Sequence, residues 1–92
     1  MITVNEYFNG AVKSLAFENN GKSTVGVINS GEYEFGTSTH ETMSIVEGTM
    51  EVLLPGESQW STYTAGQQFE VPANTSFKVK TAQQVAYLCK YK

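Results

Sequence analysis

Glu41-Thr42-Met43-Ser44-Ile45-Val46-Glu47-Gly48, followed by Thr49-Met50-Glu51-Val52-Leu53-Leu54-Pro55-Gly56, is the stretch whose reading decides the fold. Glu41 opens a short apolar-rich run, Gly48 breaks it, and a second run rich in Val and Leu carries on to a Pro-Gly pair. Runs this short, punctuated by glycine, predict β-strands rather than helices. Gly48 reads as a tight turn from which Thr49–Leu54 returns as a second strand.

The same rhythm extends in both directions. Strands are predicted at Val12–Glu18, Ser23–Asn29, Tyr33–Thr37, Thr42–Val46, Thr49–Leu54, Gln59–Tyr63, Gln67–Val71, Ser76–Lys80 and Val85–Tyr91, separated by Asn-Gly, Ser-Gly, Glu-Gly, Pro-Gly and Ala-Gly pairs. Alternation is clearest at Phe77-Lys78-Val79-Lys80 and along Val85, Tyr87, Cys89 and Tyr91, which puts Lys78, Lys80, Lys90 and Lys92 on the solvent side. Only Asn5-Glu6-Tyr7-Phe8-Asn9 reads as a possible helical turn, too short for a stable helix of its own.

Length and composition narrow the field. The 92 residues fit one domain, 1–92, because a chain this short buries only roughly 60–65% of its unfolded surface. Cys89 is the lone cysteine, so no disulfide within the chain braces the fold, and a reducing, cytoplasmic setting is expected. The opening residues show no leader pattern, and nowhere do about 18 apolar residues run together, so no membrane partner is expected. Every acid is Glu and every base is Lys, with a net charge of −3. Without Arg there is no guanidinium fork for phosphate or for guanine edges, and the negative balance argues against nucleic acid.

The deciding stretch resembles the first motif of the cupins, in which a metal-binding Glu opens a strand and a glycine turn closes it. Gly66-Gln67-Gln68-Phe69-Glu70-Val71-Pro72-Ala73-Asn74-Thr75-Ser76-Phe77 resembles the second motif, with Asn74 at the usual glycine, a residue that tolerates left-handed backbone. The resemblance implies an all-β, single-domain, cupin-like jelly-roll barrel of the RmlC type. Metal cupins carry a His-x-His pair before that Glu and a later His. Here the corresponding positions hold Phe35 and Thr37, or Glu34 and Gly36, and then Phe77. One carboxylate does not make a transition-metal site, so a metal-free cupin is expected. His40 directly precedes Glu41, and neighbours on a strand point to opposite faces, which reads His40 as a solvated bystander.

If Glu41 points inward, Phe35, Thr37 and Phe77 line the same mouth. Tyr33 and Met43 share their parity, and Tyr87 and Cys89 face in from the last strand. Aromatic walls with one carboxylate suit a flat ligand bearing hydroxyls. The same aromatics also suit the packed interior of a small barrel, and Glu41 equally suits an exposed strand start, so both readings stand at this level. Trp60 is expected on the outer surface or at a subunit contact.

Asn5-Glu6-Tyr7-Phe8, Val12-Lys13-Ser14, Ser23-Thr24-Val25-Gly26-Val27, Gly31-Glu32-Tyr33-Glu34-Phe35, Glu41-Thr42-Met43, Val52-Leu53-Leu54-Pro55, Trp60 with Tyr63, Ala65-Gly66, Phe69 with Val71-Pro72, Ser76-Phe77 and Ala86-Tyr87-Leu88-Cys89-Lys90-Tyr91 together resemble the pyrimidine/purine nucleoside phosphorylases along the whole chain. That resemblance implies phosphorolysis of nucleosides, with inorganic phosphate as co-substrate, to free base and pentose 1-phosphate. It also implies broad base tolerance, no metal or other cofactor, and a homodimer. On that footing Glu41 is the candidate for the sugar hydroxyls and for the cationic sugar carbon, and Phe35, Phe77 and Tyr87 for stacking on the base. Every lysine whose face can be assigned points outward, which leaves Thr37, Ser38 and Thr39, with Tyr33, as phosphate donors, or a partner subunit's lysine such as Lys13. The competing expectation is a non-enzymatic cupin that binds a nucleoside or sugar as a sensor or carrier.

Overall fold

The computed structural model describes residues 2–92. Ten strands succeed one another among them: β1 (Thr3–Tyr7), β2 (Val12–Glu18), β3 (Lys22–Ile28), β4 (Gly31–Gly36), β5 (Glu41–Glu47), β6 (Thr49–Leu53), β7 (Ser61–Thr64), β8 (Gln68–Val71), β9 (Ser76–Thr81) and β10 (Val85–Tyr91). They pair into a six-stranded sheet, β1-β2-β3-β10-β5-β8, and a four-stranded sheet, β4-β9-β6-β7. All pairings are antiparallel. The expected all-β cupin jelly roll is therefore present, as two sheets that face each other and keep separate edges.

Period-two patterning explains which residues lie between the sheets. From the larger sheet come Val12, Ile28, Val71 and Val85, and from the smaller Met50, Val52 and Val79, none more than 1% exposed. Burying a side chain of this size is worth about 1.5–3 kcal/mol relative to leaving it in water, so these positions hold the sheets together. On the outer face of the larger sheet the pattern inverts in position without becoming polar. Val4, Leu15, Val25 and Val27 stand 40–64% exposed there.

Two expectations are corrected. Gly48 does not fold Thr49–Leu53 back onto β5: β5 pairs with β10 and β8, and β6 with β9 and β7. At φ +106° Gly48 bends the chain from one sheet into the other, where a Cβ would meet Val85 Cγ2 at 3.0 Å. The residues around Asn5 are strand β1 rather than a helical turn. The β-branched Thr3 and Val4 favour extension, and Phe8 and Asn9, at φ +54° and +56°, turn the chain back into β2. Asn74 takes the left-handed backbone expected of it, φ +60°.

Candidate functional site

Between the edge strand β4 and the β1–β2 hairpin the two sheets part, and a cavity of about 380 Å³ opens there. Its position follows from register. On the inner face of the larger sheet Glu41 pairs across from Tyr91, and Met43 from Cys89. Tyr87 stands opposite Gly26, which in turn stands opposite Ser14. Strand alternation thus delivers Glu41, Met43, Tyr87, Cys89 and Tyr91 to one face, and all five line the cavity.

Gly26 is required by this arrangement. A Cβ built on it would lie 2.7 Å from the Tyr87 hydroxyl oxygen and 2.7 Å from the Lys13 carbonyl oxygen. With hydrogen alone at that position, the Tyr87 ring can approach β3 closely.

The opposite wall is aromatic. Phe35 and Phe77 face the cavity from β4 and β9, their ring centroids 5.7 Å apart. Phe8 sits at the rim with its ring 5.0 Å from Tyr33 and 5.7 Å from Phe35, the latter edge-on. The chain of rings continues inward through Phe69 to Tyr63, at centroid spacings of 6.0 Å from Phe77 and 4.9 Å. Phe69 and Phe77 belong to the buried core, and Tyr33, Phe35 and Tyr63 are partly buried against it.

Two acids line the cavity, the exposed Glu34 and the partly buried Glu41. Partial burial raises the pKa of Glu41 above the usual carboxylate value, opposed by the thiol of Cys89, which donates to Oε1 at 3.5 Å, and by the field of His40. Burial, with the Glu41 charge behind it, pushes the Cys89 thiol up to about 12. Burial also pushes the Tyr87 phenol up to about 12 and raises that of Tyr91, whose hydroxyl lies 3.1 Å from Thr24 Oγ1. Burial thus favours the neutral form of all three groups near the carboxylate, of which Cys89 is the one hydrogen-bonded to it among the described residues.

The remaining expected residues go elsewhere. Tyr33 turns its hydroxyl away to donate to the carbonyls of Asn29 and Ser30. Thr37 Oγ1 donates to the Pro72 carbonyl at 2.7 Å and accepts from the Thr75 N–H at 3.1 Å, fastening the β4–β5 connection to the β8–β9 turn. Ser38 borders a neighbouring cleft that also touches Glu41, and Thr39 lines neither. His40 points to the outer face, where Nε2 pairs with Glu70 Oε1 at 2.9 Å. Trp60 lies outside the sandwich beneath Lys80 Nζ, 4.2 Å from the ring centroid. Tyr7, Phe8, Ser14, Ile28, Glu34 and Tyr91 line the cavity without having been singled out as site residues. Tyr91 was legible, since it shares parity with Tyr87 and Cys89. The hairpin residues were not, because reading a helical turn at Asn5–Asn9 hid the strand that brings them over the mouth.

The donor set for a metal is thin. Among the described residues no three of His, Cys, Asp and Glu gather as a metal-holding group. Glu41 and Cys89 make two ligands, short of the three that a transition-metal site needs.

Comparison with known proteins gives a consistent set of likenesses. A family model described as pyrimidine/purine nucleoside phosphorylase matches residues 2–91. A protein of that name from Pseudoalteromonas atlantica is 61% identical over 92 residues, covering 99% of each chain. Another from Pseudomonas aeruginosa is 54% identical over 93 residues, covering 100% of both. Among solved structures, a protein of unknown function from Vibrio parahaemolyticus superimposes with a TM-score of 0.97 at 43% identity, covering 100% of this chain and 99% of that one. An RmlC-like cupin from Shewanella frigidimarina matches at a TM-score of 0.77 and 19% identity, covering 98% of this chain and 82% of its own, a likeness of fold alone.

Proposed function

The chain belongs to the pyrimidine/purine nucleoside phosphorylase family, and from that premise we propose that its inter-sheet cavity cleaves nucleosides with phosphate, tolerating both purine and pyrimidine bases and using no metal. The observation that carries the reading is Glu41, a half-buried carboxylate that lines the same cavity of about 380 Å³ as Phe35 and Phe77. That volume falls within the range of small-molecule sites.

Phe35, partly buried in the cavity wall with the buried Phe77 behind it, offers flat apolar surface to a base and no side-chain group able to read its edge. Stacking without edge recognition accounts for broad base tolerance. Glu41 is the acceptor for the sugar hydroxyls. Two O–H donors from the sugar restore hydrogen bonds that burial has taken from the carboxylate, and its charge favours the positive charge that grows on C1′. In the reaction an oxygen of hydrogen phosphate forms a bond to C1′ as the C1′–N bond breaks. The electron pair stays on the base nitrogen, and the phosphate's proton ends there. The products are free base and pentose 1-phosphate, which makes the chain a pentosyltransferase. Positioning and electrostatics supply the rate.

The apolar outer face of the larger sheet, with Val4, Leu15, Val25 and Val27 exposed, supports a homodimer joined across it. Among the described residues no helix is long and apolar enough to cross a membrane, and the buried free thiol of Cys89 agrees with a cytoplasmic setting.

The experiment is release of free base from a panel of purine and pyrimidine nucleosides by chelator-treated protein, with and without phosphate. Phosphate-dependent release from several bases is expected. Nucleoside binding without release under any condition moves the reading to a sensor or carrier, and release only after a divalent ion is restored overturns its metal-free part.

A further inference from the structure

We propose that Lys22 holds the phosphate co-substrate in a second, polar cleft joined to the aromatic one, across Glu41 and Tyr91 from the base wall. The proposal rests on the phosphorylase reading and supplies the anion site that reading lacks. The second cleft measures about 410 Å³ and shares Tyr7, Gly36, Glu41 and Tyr91 with the first. Apart from Ala16, its own lining is polar: Thr3, Asn5, Lys22, Thr24 and Ser38.

Lys22 is the one cation lining either cleft among the described residues. It lies at the start of β3 with the parity of Thr24, Gly26 and Ile28, the row that faces the smaller sheet. An expected strand beginning at Ser23 left Lys22 without a face, which is why the outward lysines seemed to exhaust the supply. The Lys22 ammonium stands 5.4 Å from the centroid of the Tyr91 ring, and the Tyr91 hydroxyl is tied to Thr24 Oγ1 at 3.1 Å. Glu18 stands opposite Lys22 in register without closing an ion pair on it among the described residues, so the ammonium is available to an anion.

The order of groups fits the chemistry. Displacement at C1′ brings phosphate to the face opposite the departing base, so the sugar must lie between the two. Glu41 and Tyr91 border both clefts and mark that middle position. The Thr3, Thr24 and Ser38 hydroxyls and the Asn5 amide can share the remaining phosphate oxygens, with Lys22 as the point charge.

The test is steady-state kinetics of wild type, Lys22→Gln and Lys22→Arg, together with the 31P line width of inorganic phosphate titrated with each protein. Lys22 lies at the surface, so the substitutions leave the fold in place, checked by matching thermal unfolding. Lys22→Gln should raise the KM for phosphate about tenfold or more, with the nucleoside KM within about threefold, and Lys22→Arg should restore most of the loss. Phosphate broadening should follow the same order. An unchanged phosphate KM and line width in Lys22→Gln overturns the site. A wild type that broadens phosphate through Lys22 yet cleaves no nucleoside keeps the anion site and removes the phosphorylase reading, so the two fail separately.

Discussion

The Cys89 thiol donates to Oε1 of Glu41 across 3.5 Å, from a neighbouring strand of the same sheet face. It is a weak donor, and it leaves most of the carboxylate's accepting capacity free. Desolvation therefore dominates and raises the Glu41 pKa. The unfolded chain gives up this proton at lower pH than the folded one, so the contribution of Glu41 to stability is fully present below the ordinary carboxylate pKa and is lost as pH rises through its folded value. Glu41→Gln is expected to flatten that part of the stability-against-pH curve, to leave neutral-pH stability equal or higher, and to lower kcat/KM by about 100-fold. Urea titrations at several pH values and base-release assays check the pair. A variant with wild-type rates takes Glu41 out of the site.

Gly26→Ala should destabilise the fold by about 1–3 kcal/mol, the usual cost of overpacking. One of the atoms its methyl meets is the Lys13 backbone carbonyl, which cannot move without disturbing β2, so the strain falls partly on the Tyr87 ring. A lower urea midpoint with an unchanged m-value is the expected signature. No loss of stability shows that the sheet absorbs the methyl.

Phe8 separates stability from function. Holding a bulky residue in the left-handed region costs about 1–2 kcal/mol, and its two ring contacts return a similar amount. Phe8→Gly should therefore keep stability within about 1 kcal/mol while raising the KM for nucleosides several-fold, because the rim of the cavity is gone. Unaltered nucleoside kinetics assign Phe8 a purely structural position.

His40→Ala should leave turnover within a few-fold and cost no more than about 1 kcal/mol, the scale of a solvent-screened pair such as that between the partly exposed His40 and the exposed Glu70. Thermal unfolding and base release test both halves, and a large drop in rate places His40 in the reaction despite its outward side chain.

Much of this molecule was legible because strands declare themselves by alternation. Phe77, Val79, Val85, Tyr87 and Cys89 are buried as their parity predicts, and Phe35, Glu41, Met43, Phe77 and Tyr87 meet in one cavity. What the chain concealed is sheet membership. Period two tells which way a side chain points but not which strand lies beside it, so the passage at Gly48 from one sheet to the other could not be separated from a hairpin. Thr37 shares the parity of the site residues, yet a local demand for backbone partners at Pro72 and Thr75 claims its hydroxyl. Phe8 and Lys22 were lost at strand boundaries, where periodic patterning is weakest.

Strand β10 lies between β3 and β5, so the middle of the larger sheet is written in residues 85–91 while both its neighbours come from the first half of the sequence. On the ribosome, β1–β3 and β5 are complete long before the segment that joins them exists. Tyr87, Cys89 and Tyr91 arrive with that same segment. Assembly of the larger sheet and completion of the cavity thus both wait on β10, and a nascent chain stopped short of it has strand edges at β3 and β5 in search of a neighbour and lacks Tyr87, Cys89 and Tyr91 from the cavity wall.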